Sequence, residues 1–427
     1  NPTTAKERLE TFSYKKQMQE NSLLKNIEFE NIGPTIMSGR VVDVEVSPAD
    51  PTIFYVAYAS GGLWKTVNNG MSFTPLFDYE SVITIGDIAV DWTNNIIYVG
   101  TGENNSSRSS YSGTGIYKST DDGKSWTNMG LEESQHIGRI TIGAKNPDKI
   151  IVAALGHLYS ANPERGIYIS DDAGKTWKHT LKIDDNTGGI DLVVDPMNSN
   201  IVYASMWFRT RRAWNFEEAG SSSGIYKSND GGNTWSLITT PSSGFLTGKE
   251  TGRIGLAIYP KNPQIIYAVV DNQSAANKKD DDDKDKLSKE NLRKISEDEF
   301  MMLDTAKLKD FLEDGGFPEE YTAAKVFELV SNKSIKPNSI VEYLEDANTL
   351  LTNANVIGAE VYRSDNGGAT WKKTHYIDLD GIFSTYGYYF SRISVSPVDE
   401  NKIYVLGIIA IKSTDGGVTF SMIDDDN

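Results

Sequence analysis

The chain has 427 residues, no cysteine and a net charge of −17 from 42 basic and 59 acidic side chains. Without cysteine there are no disulfides, no thiolate metal site and no thiol nucleophile. A surface this acidic repels phosphate backbones, which argues against nucleic acid as a partner, and no apolar run is long enough to span a bilayer.

Residues 1–27 are polar and rich in Lys and Glu, which predicts a short helical arm. The chain begins at Asn1 with no hydrophobic signal core, which suits either a mature exported protein or a trimmed start. Then one phrase recurs six times: a short apolar-aromatic run, Ser or Thr, any residue, Asp or Asn, any residue, Gly, two more, and Trp or Phe. The plainest copy is Gly115-Ile116-Tyr117-Lys118-Ser119-Thr120-Asp121-Asp122-Gly123-Lys124-Ser125-Trp126. The boxes begin at residues 66, 119, 170, 228, 364 and 413, so four of the five spacings lie between 49 and 58 and one is 136. A fixed period of this size dictates the architecture.

Each box reads as a hairpin. The Ser and Asp oxygens accept backbone N–H bonds across the turn, the Gly supplies a left-handed residue, and the Trp opens the next strand and covers the hairpin base. Upstream of each box lie two further strand signals, as in Gly138–Ile142 and Ile201–Ala204. Four strands per repeat, arranged radially, predict an all-β β-propeller. Blades are expected near 35–80, 81–133, 134–183, 184–242, 243–375 and 376–423. The ring could also hold more than these six.

The fifth blade is interrupted. A charged run, Lys278 to Lys286, reads as a solvated loop, and the apolar period then changes from 2 to 3.6. Stripes Phe300, Leu303, Leu308, Phe311 and Leu312, then Tyr321, Ala324, Val326, Phe327 and Val330, then Ile340, Val341, Leu344 and Leu350 predict a small helical insertion on one face of the ring. Its stripes should pack on each other or on the propeller. The expected division is therefore 1–27 as an arm, 28–275 as blades 1–4 and the start of blade 5, 276–355 as charged loop plus helices, and 356–427 as the remainder.

Three groups of residues could carry function. Asn68, Asp121, Asp172, Asp230, Asn366 and Asp415 recur in every box, so their role is structural. Counting along the innermost strands places Asp43, Asp87, Arg139, Asp191 and Arg392 at equivalent positions, with Gly255 in blade five and Arg253 and Arg40 close by. These strands line the channel, so the set could clamp an anionic or zwitterionic group or supply an acid/base pair; the other reading is an internal salt-bridge ring. Two segments complete the candidates: the polar stretch Gly100–Ser110 with Glu103, and Met206–Trp214 with Trp207, Arg209, Arg211, Arg212 and Trp214. Arg interleaved with aromatics suits a sugar or a peptide; burial under the insertion or a neighbouring blade is the alternative. His136, His157, His179 and His375 fall at no metal-ligand spacing, so neither metal nor cofactor is implied.

The stretch Asn31-Ile32-Gly33-Pro34-Thr35-Ile36-Met37-Ser38-Gly39-Arg40, the 100–105 loop, the repeated Gly-Ile-Tyr-Lys-Ser and Val356–Ser364 resemble one family. It is that of the large bacterial BNR/Asp-box proteins related to the sortilin-type propeller, often labelled glycosyl hydrolases. The resemblance covers about residues 28–423. It implies export to the periplasm, outer-membrane surface or extracellular space, and a ring with further blades. The Arg-Ile-Pro motif of sialidases and the Gly-rich start of two-propeller xyloglucan-cleaving enzymes are both missing. The expected function is a non-catalytic binding or scaffolding propeller of the bacterial cell envelope, holding a protein, peptide or glycan at its channel mouth. The alternative is a glycoside hydrolase using Asp43, Asp87 or Asp191; an assembly factor like the photosystem propellers is a third reading.

Overall fold

The computed structural model describes residues 3–27, 39–276, 287–318, 320–344, 356–379 and 381–423. The Asn31–Ser38 part of the family-like motif, the charged run 278–286, the Leu344 side chain and Leu350 lie outside what is described. Two compact units emerge, one from Asn1–Ser274 with Ile357–Asn427 and one from Ala275–Val356.

The first unit contains six four-stranded antiparallel sheets. Blade 1 is Val41–Val46, Phe54–Tyr58, Gly62–Thr66 and Thr74–Pro75; blade 2 is Ile85–Asp91, Ile96–Thr101, Ile116–Ser119 and Thr127–Asn128. Blade 3 is Ile137–Gly143, Asn146–Ala154, Gly166–Ser170 and Lys178–Leu181; blade 4 is Thr187–Val194, Val202–Phe208, Gly224–Ser228 and Ser236–Leu237. Blade 5 is Thr251–Ile258, Ile266–Ala275, Val356–Ser364 and Lys372–Lys373, and blade 6 is Arg392–Val395, Ile403–Leu406, Ala410–Ser413 and Ser421–Met422. First strands of successive blades lie side by side, so they form the channel wall. Blade 6 meets blade 1 there through Arg392 Nη2, which donates to Val42 O at 3.4 Å.

The core sits between blades. Tyr55, Ala57 and Leu63 of blade 1, for example, pack on Ile88, Val99 and Tyr117 of blade 2, and similar layers follow at each step to blade 6. In blades 2 to 5 the alternation of apolar residues along each strand buries both faces, one against each neighbour, whereas Val44 and Val46 of blade 1 and Leu406 of blade 6 are exposed.

The box closes through a repeated set of bonds. In blade 3 Ser170 Oγ accepts from Gly174 N at 2.8 Å and donates to Asp172 Oδ1 at 2.7 Å. Asp172 in turn accepts from Thr176 N at 2.8 Å and Thr176 Oγ1 at 2.6 Å. Gly174 has φ +88°, a left-handed conformation that side chains resist. The box Trp does something the sequence did not indicate. Trp126 Nε1 donates to Leu76 O and Trp177 Nε1 to Met129 O, each in the preceding blade. The ring thus seals the seam between blades as well as covering its own hairpin.

The arm is a helix, Ala5–Glu20, started by a reciprocal Thr4–Glu7 cap and tied down by Ala5 N to Glu133 Oε1 at 2.9 Å and Arg8 Nη1 to Ser112 Oγ at 3.1 Å. In the second unit, helices Lys289–Lys294, Glu297–Phe300, Thr305–Asp314, Ala323–Ser331 and Pro337–Leu344 pack on one another. Leu308 and Leu312 face Val326, Val330, Ile340 and Val341 in one core. The second stripe is phased differently from the sequence expectation: Ala323 is buried while Tyr321 and Ala324 are exposed. Thr322 caps this helix by accepting from Lys325 N, which makes Ala323 the first helical residue and puts 323, 326 and 330 on one face. Among the described residues no helix is long and apolar enough to cross a membrane.

Replacing Ser170 with Ala should lower unfolding free energy by ~1–3 kcal/mol in urea titrations, because the buried Gly174 N–H loses its acceptor. Asp172→Asn should lower the midpoint less than Ser170→Ala, since Asn68 and Asn366 accept the same backbone N–H in their blades and donate to the hydroxyl instead of accepting from it. The box carboxyls Asp121, Asp172, Asp230 and Asp415 are pulled down to about 2 by hydrogen bonds from the hydroxyl and N–H four residues on. Their contribution is therefore present above the ordinary value of 3.8 and is lost as pH falls through about 2, so the melting temperature should drop across that window.

Candidate binding face at the channel mouth

In blades 1 to 5 the register of the first strand slips by a bulge beside the position that faces the axis. A bulge re-aims the next side chain, and here it turns Asp43, Asp87, Arg139 and Asp191 toward one another. Arg139 Nε bonds Asp191 Oδ1 at 2.9 Å, and its Nη1 lies 3.0 Å from Asp87 Oδ1 and 3.7 Å from Asp43 Oδ1. Arg392 stands 3.8 Å from both Asp87 and Asp191. Gly255 completes the layer without a side chain, because a Cβ there would lie 1.9 Å from Ser391 O.

The second oxygen of each aspartate reaches the next blade in the ring. Asp43 Oδ2 accepts from Ile88 N at 3.4 Å, Asp87 Oδ2 from Ile140 N at 2.7 Å, and Asp191 Oδ2 from Leu256 N at 3.0 Å. Burial pushes the Asp87 carboxyl up, while Arg139 opposes that shift. Burial also works against charge on Arg139, and the carboxylates of Asp87, Asp191 and Asp43 outweigh it. The set forms an internal ion-pair layer in which three carboxylates surround the Arg139 guanidinium and Arg392 flanks two of them.

Above this layer the 100–112 loop crosses the channel. Asn104 Nδ2 donates to Gly86 O at 2.7 Å and to Gly138 O at 3.3 Å, and Glu103 pairs with Arg40. Arg253 Nη1 donates to Asn104 O at 3.2 Å and Tyr388 O at 2.9 Å, and Arg211 Nη1 to Ser106 O at 3.0 Å. Arg209 Nη2 donates to Leu155 O and Gly156 O at 3.3 and 3.2 Å, while Arg165 reaches His157 O, Ser160 O, Asn186 O and Arg209 O. Guanidiniums from three blades thus clasp the backbone of loops from four.

The stretch expected as an exposed aromatic-basic loop therefore divides. Residues 202–208 are the second strand of blade 4, and Trp207, Arg209 and Arg211 are buried, as are Glu103 and Arg253. The rest is a side hairpin, Thr210–Arg211 with Phe216–Glu217, whose tip carries the exposed Arg212 and Trp214, the latter 81% exposed. Beneath it Phe216 meets Tyr388 edge-on at 4.9 Å, with the Arg211 guanidinium 4.3 Å over Phe216. Arg40 has its side chain partly exposed and lies 5.3 Å from the Tyr389 ring.

Sequence reasoning missed two acids here, one fully buried and one partly buried. Asp271, fully buried, is pushed up to about 7 by burial against the pull of Gln273 and Arg253, and Glu218 is raised by burial and by Asp271. The one signal was Asp271 itself, a charge closing the apolar run Ile265–Val270.

Residues 114–312 match the family model for sortilin, neurotensin receptor 3 (Sortilin-Vps10). A xyloglucanase of Hypocrea jecorina (strain QM6a) is 30% identical over 127 residues, 28% of this chain and 13% of that protein. An ancestral GH74 enzyme superposes with a TM-score of 0.53 at 16% identity, over 92% of this chain and 39% of the other. The GH74 enzyme of Niastella koreensis gives 0.52 at 17% identity, over 89% and 46%. The chain thus spans a small part of the xyloglucanase and less than half of either solved structure, and likeness at that identity shows the fold alone. With its six four-stranded blades and a family model that matches residues 114–312, the chain is a β-propeller similar to the sortilin family.

Proposed function

We propose that this chain is a non-catalytic binding propeller that holds a protein or peptide partner at its channel mouth. One observation carries this reading: the channel carboxylates are held by Arg139 and by backbone N–H groups, while Trp214 and Arg212 stand exposed on a hairpin tip. An acid/base pair needs one carboxyl to take up a proton and one to stay free for substrate or water. Asp87 and Asp191 meet neither need while each bonds Arg139 through one oxygen and an N–H of the next blade through the other. An exposed Trp beside an Arg, backed by packed aromatics, has the character of an interface hot spot. The proposal includes an exported, cell-envelope location, which the sequence resemblance supports.

Glycoside hydrolysis is the second reading, favoured by the match to a xyloglucanase. It requires a carboxylate pair flanking a sugar, about 5–9.5 Å apart, whereas the carboxylates placed together here surround a guanidinium.

Purification from the native source should yield a stoichiometric partner cross-linking to a photoreactive residue at position 214. Trp214→Ala should weaken that complex by ~2 kcal/mol or more with an unchanged melting temperature; retention of full affinity would reject this face. Arg139→Met should destabilise the fold by ~3–5 kcal/mol, because Asp87 and Asp191 lose their hydrogen-bonded cation and keep only Arg392 at 3.8 Å. Adding Asp87→Asn should recover part of the loss in urea titrations. Release of reducing ends from xyloglucan that Asp87→Asn abolishes without unfolding would favour the hydrolase instead.

A further inference from the structure

The 110–112 segment and the loop after the second strand of blade 3 enclose a pocket of about 350 Å3. That is within the roughly 300–1,000 Å3 range of small-ligand sites. Tyr159 Oη, donating to Arg108 O at 2.8 Å, ties one wall to the other. No Lys, Arg, Asp or Glu lines the cavity.

Its floor is His136, only 2% exposed. Nδ1 lies 2.8 Å from Glu103 O. A carbonyl can only accept, so the proton sits on Nδ1 and Nε2 presents a lone pair. Nε2 has no hydrogen-bond partner among the described residues. Burial, assisted by the nearby Arg209 cation, pushes this imidazole down to about 3 and keeps it neutral. His157 stands beside it, with Nδ1 2.9 Å from Ser160 Oγ. Its Nε2 is buried without a hydrogen bond; the nearest charge is Glu133 Oε2 at 4.0 Å.

The hydroxyls of Ser110 and Ser112 accept from Ser107 N at 2.9 Å and Arg8 Nη1 at 3.1 Å. Each therefore keeps its own O–H proton to give. The pocket offers an acceptor at His136, donors at the two serines, and the exposed rings of Tyr111 and Tyr159 at its rim, with His157 forming part of the wall. Charged ligands would meet no counter-ion among its lining residues. A ligand with several hydroxyls, each able to give and to take a hydrogen bond, satisfies all these groups at once.

We propose that this pocket binds one neutral pyranose unit of a glycan, its hydroxyls on His136, Ser110 and Ser112 and a ring face against Tyr111 or Tyr159. The site holds no carboxylate and lies apart from the channel aspartates, so it binds without cleaving. It is independent of the partner reading at Trp214.

Saturation-transfer NMR and calorimetry with glucose, galactose and xylose test it, using glucuronate as the charged control. At least one neutral sugar should bind saturably with Kd of ~1–10 mM, and glucuronate at least tenfold more weakly. Tyr111→Ala and Ser112→Ala should each weaken binding at least tenfold with an unchanged melting temperature. Trp214→Ala should leave sugar binding intact, which separates this site from the hairpin tip. Absence of saturable binding by all three neutral sugars, or full binding in both pocket variants, overturns the proposal.

Discussion

The ring depends on one interaction repeated around its axis: an aspartate of one blade accepting a backbone N–H of the next. Asp43, Asp87 and Asp191 each do this with one oxygen while the other faces Arg139. Leaving buried carboxylates without a cation is costly, and leaving buried N–H groups without acceptors costs more again. Each charge is thereby bound to its blade's position relative to two others. Apolar layers give the ring its cohesion; the charged layer selects the angular register at which those layers meet. Gly255 shows the geometric limit of the scheme, since blade 6 approaches too closely there for any side chain.

Much of this was legible in the sequence, for a physical reason. The box is a closed set of local bonds within eight residues, so its chemistry appears as a motif. The equivalence of Asp43, Asp87, Arg139 and Asp191 also followed from counting along strands of constant period. What they touch did not. Arg139 meets partners 52 residues away on either side, and a bulge of one residue decides whether a side chain points to the axis. Trp207 and Arg209 read as a ligand-gripping pair because composition alone cannot distinguish an exposed Arg from one clasping carbonyls. His136 and His157 showed no useful spacing, since a loop from another blade brings the pocket together around them.

Burial at the mouth has a further effect. Arg165, Arg209, Arg211 and Arg253 meet mostly backbone carbonyls, which carry only partial charge. Burial leaves Arg209 poorly compensated and pulls its pKa well below the ordinary value, with Arg165, Arg253 and Arg211 adding repulsion. A rigid collar made this way is stiff but electrostatically unsettled, and its outer residues, Trp214 and Arg212, are held in place without being packed.

The blades differ mainly in two connections, from second to third strand and from one blade to the next, the latter running from 182–186 up to 374–391. The former is a three-residue turn in blade 1, but runs over 102–115 in blade 2, 155–165 in blade 3 and 209–223 in blade 4, and encloses the helical unit in blade 5. The connection from third to fourth strand stays short throughout, because its Ser, Asp and Gly bonds close over a set number of residues. Growth is therefore kept out of the box hairpin and falls on the other joints, the second-to-third connection above all. A protein built so can acquire new recognition elements by lengthening that connection, while the hairpins and the charged axis keep the ring's assembly unchanged.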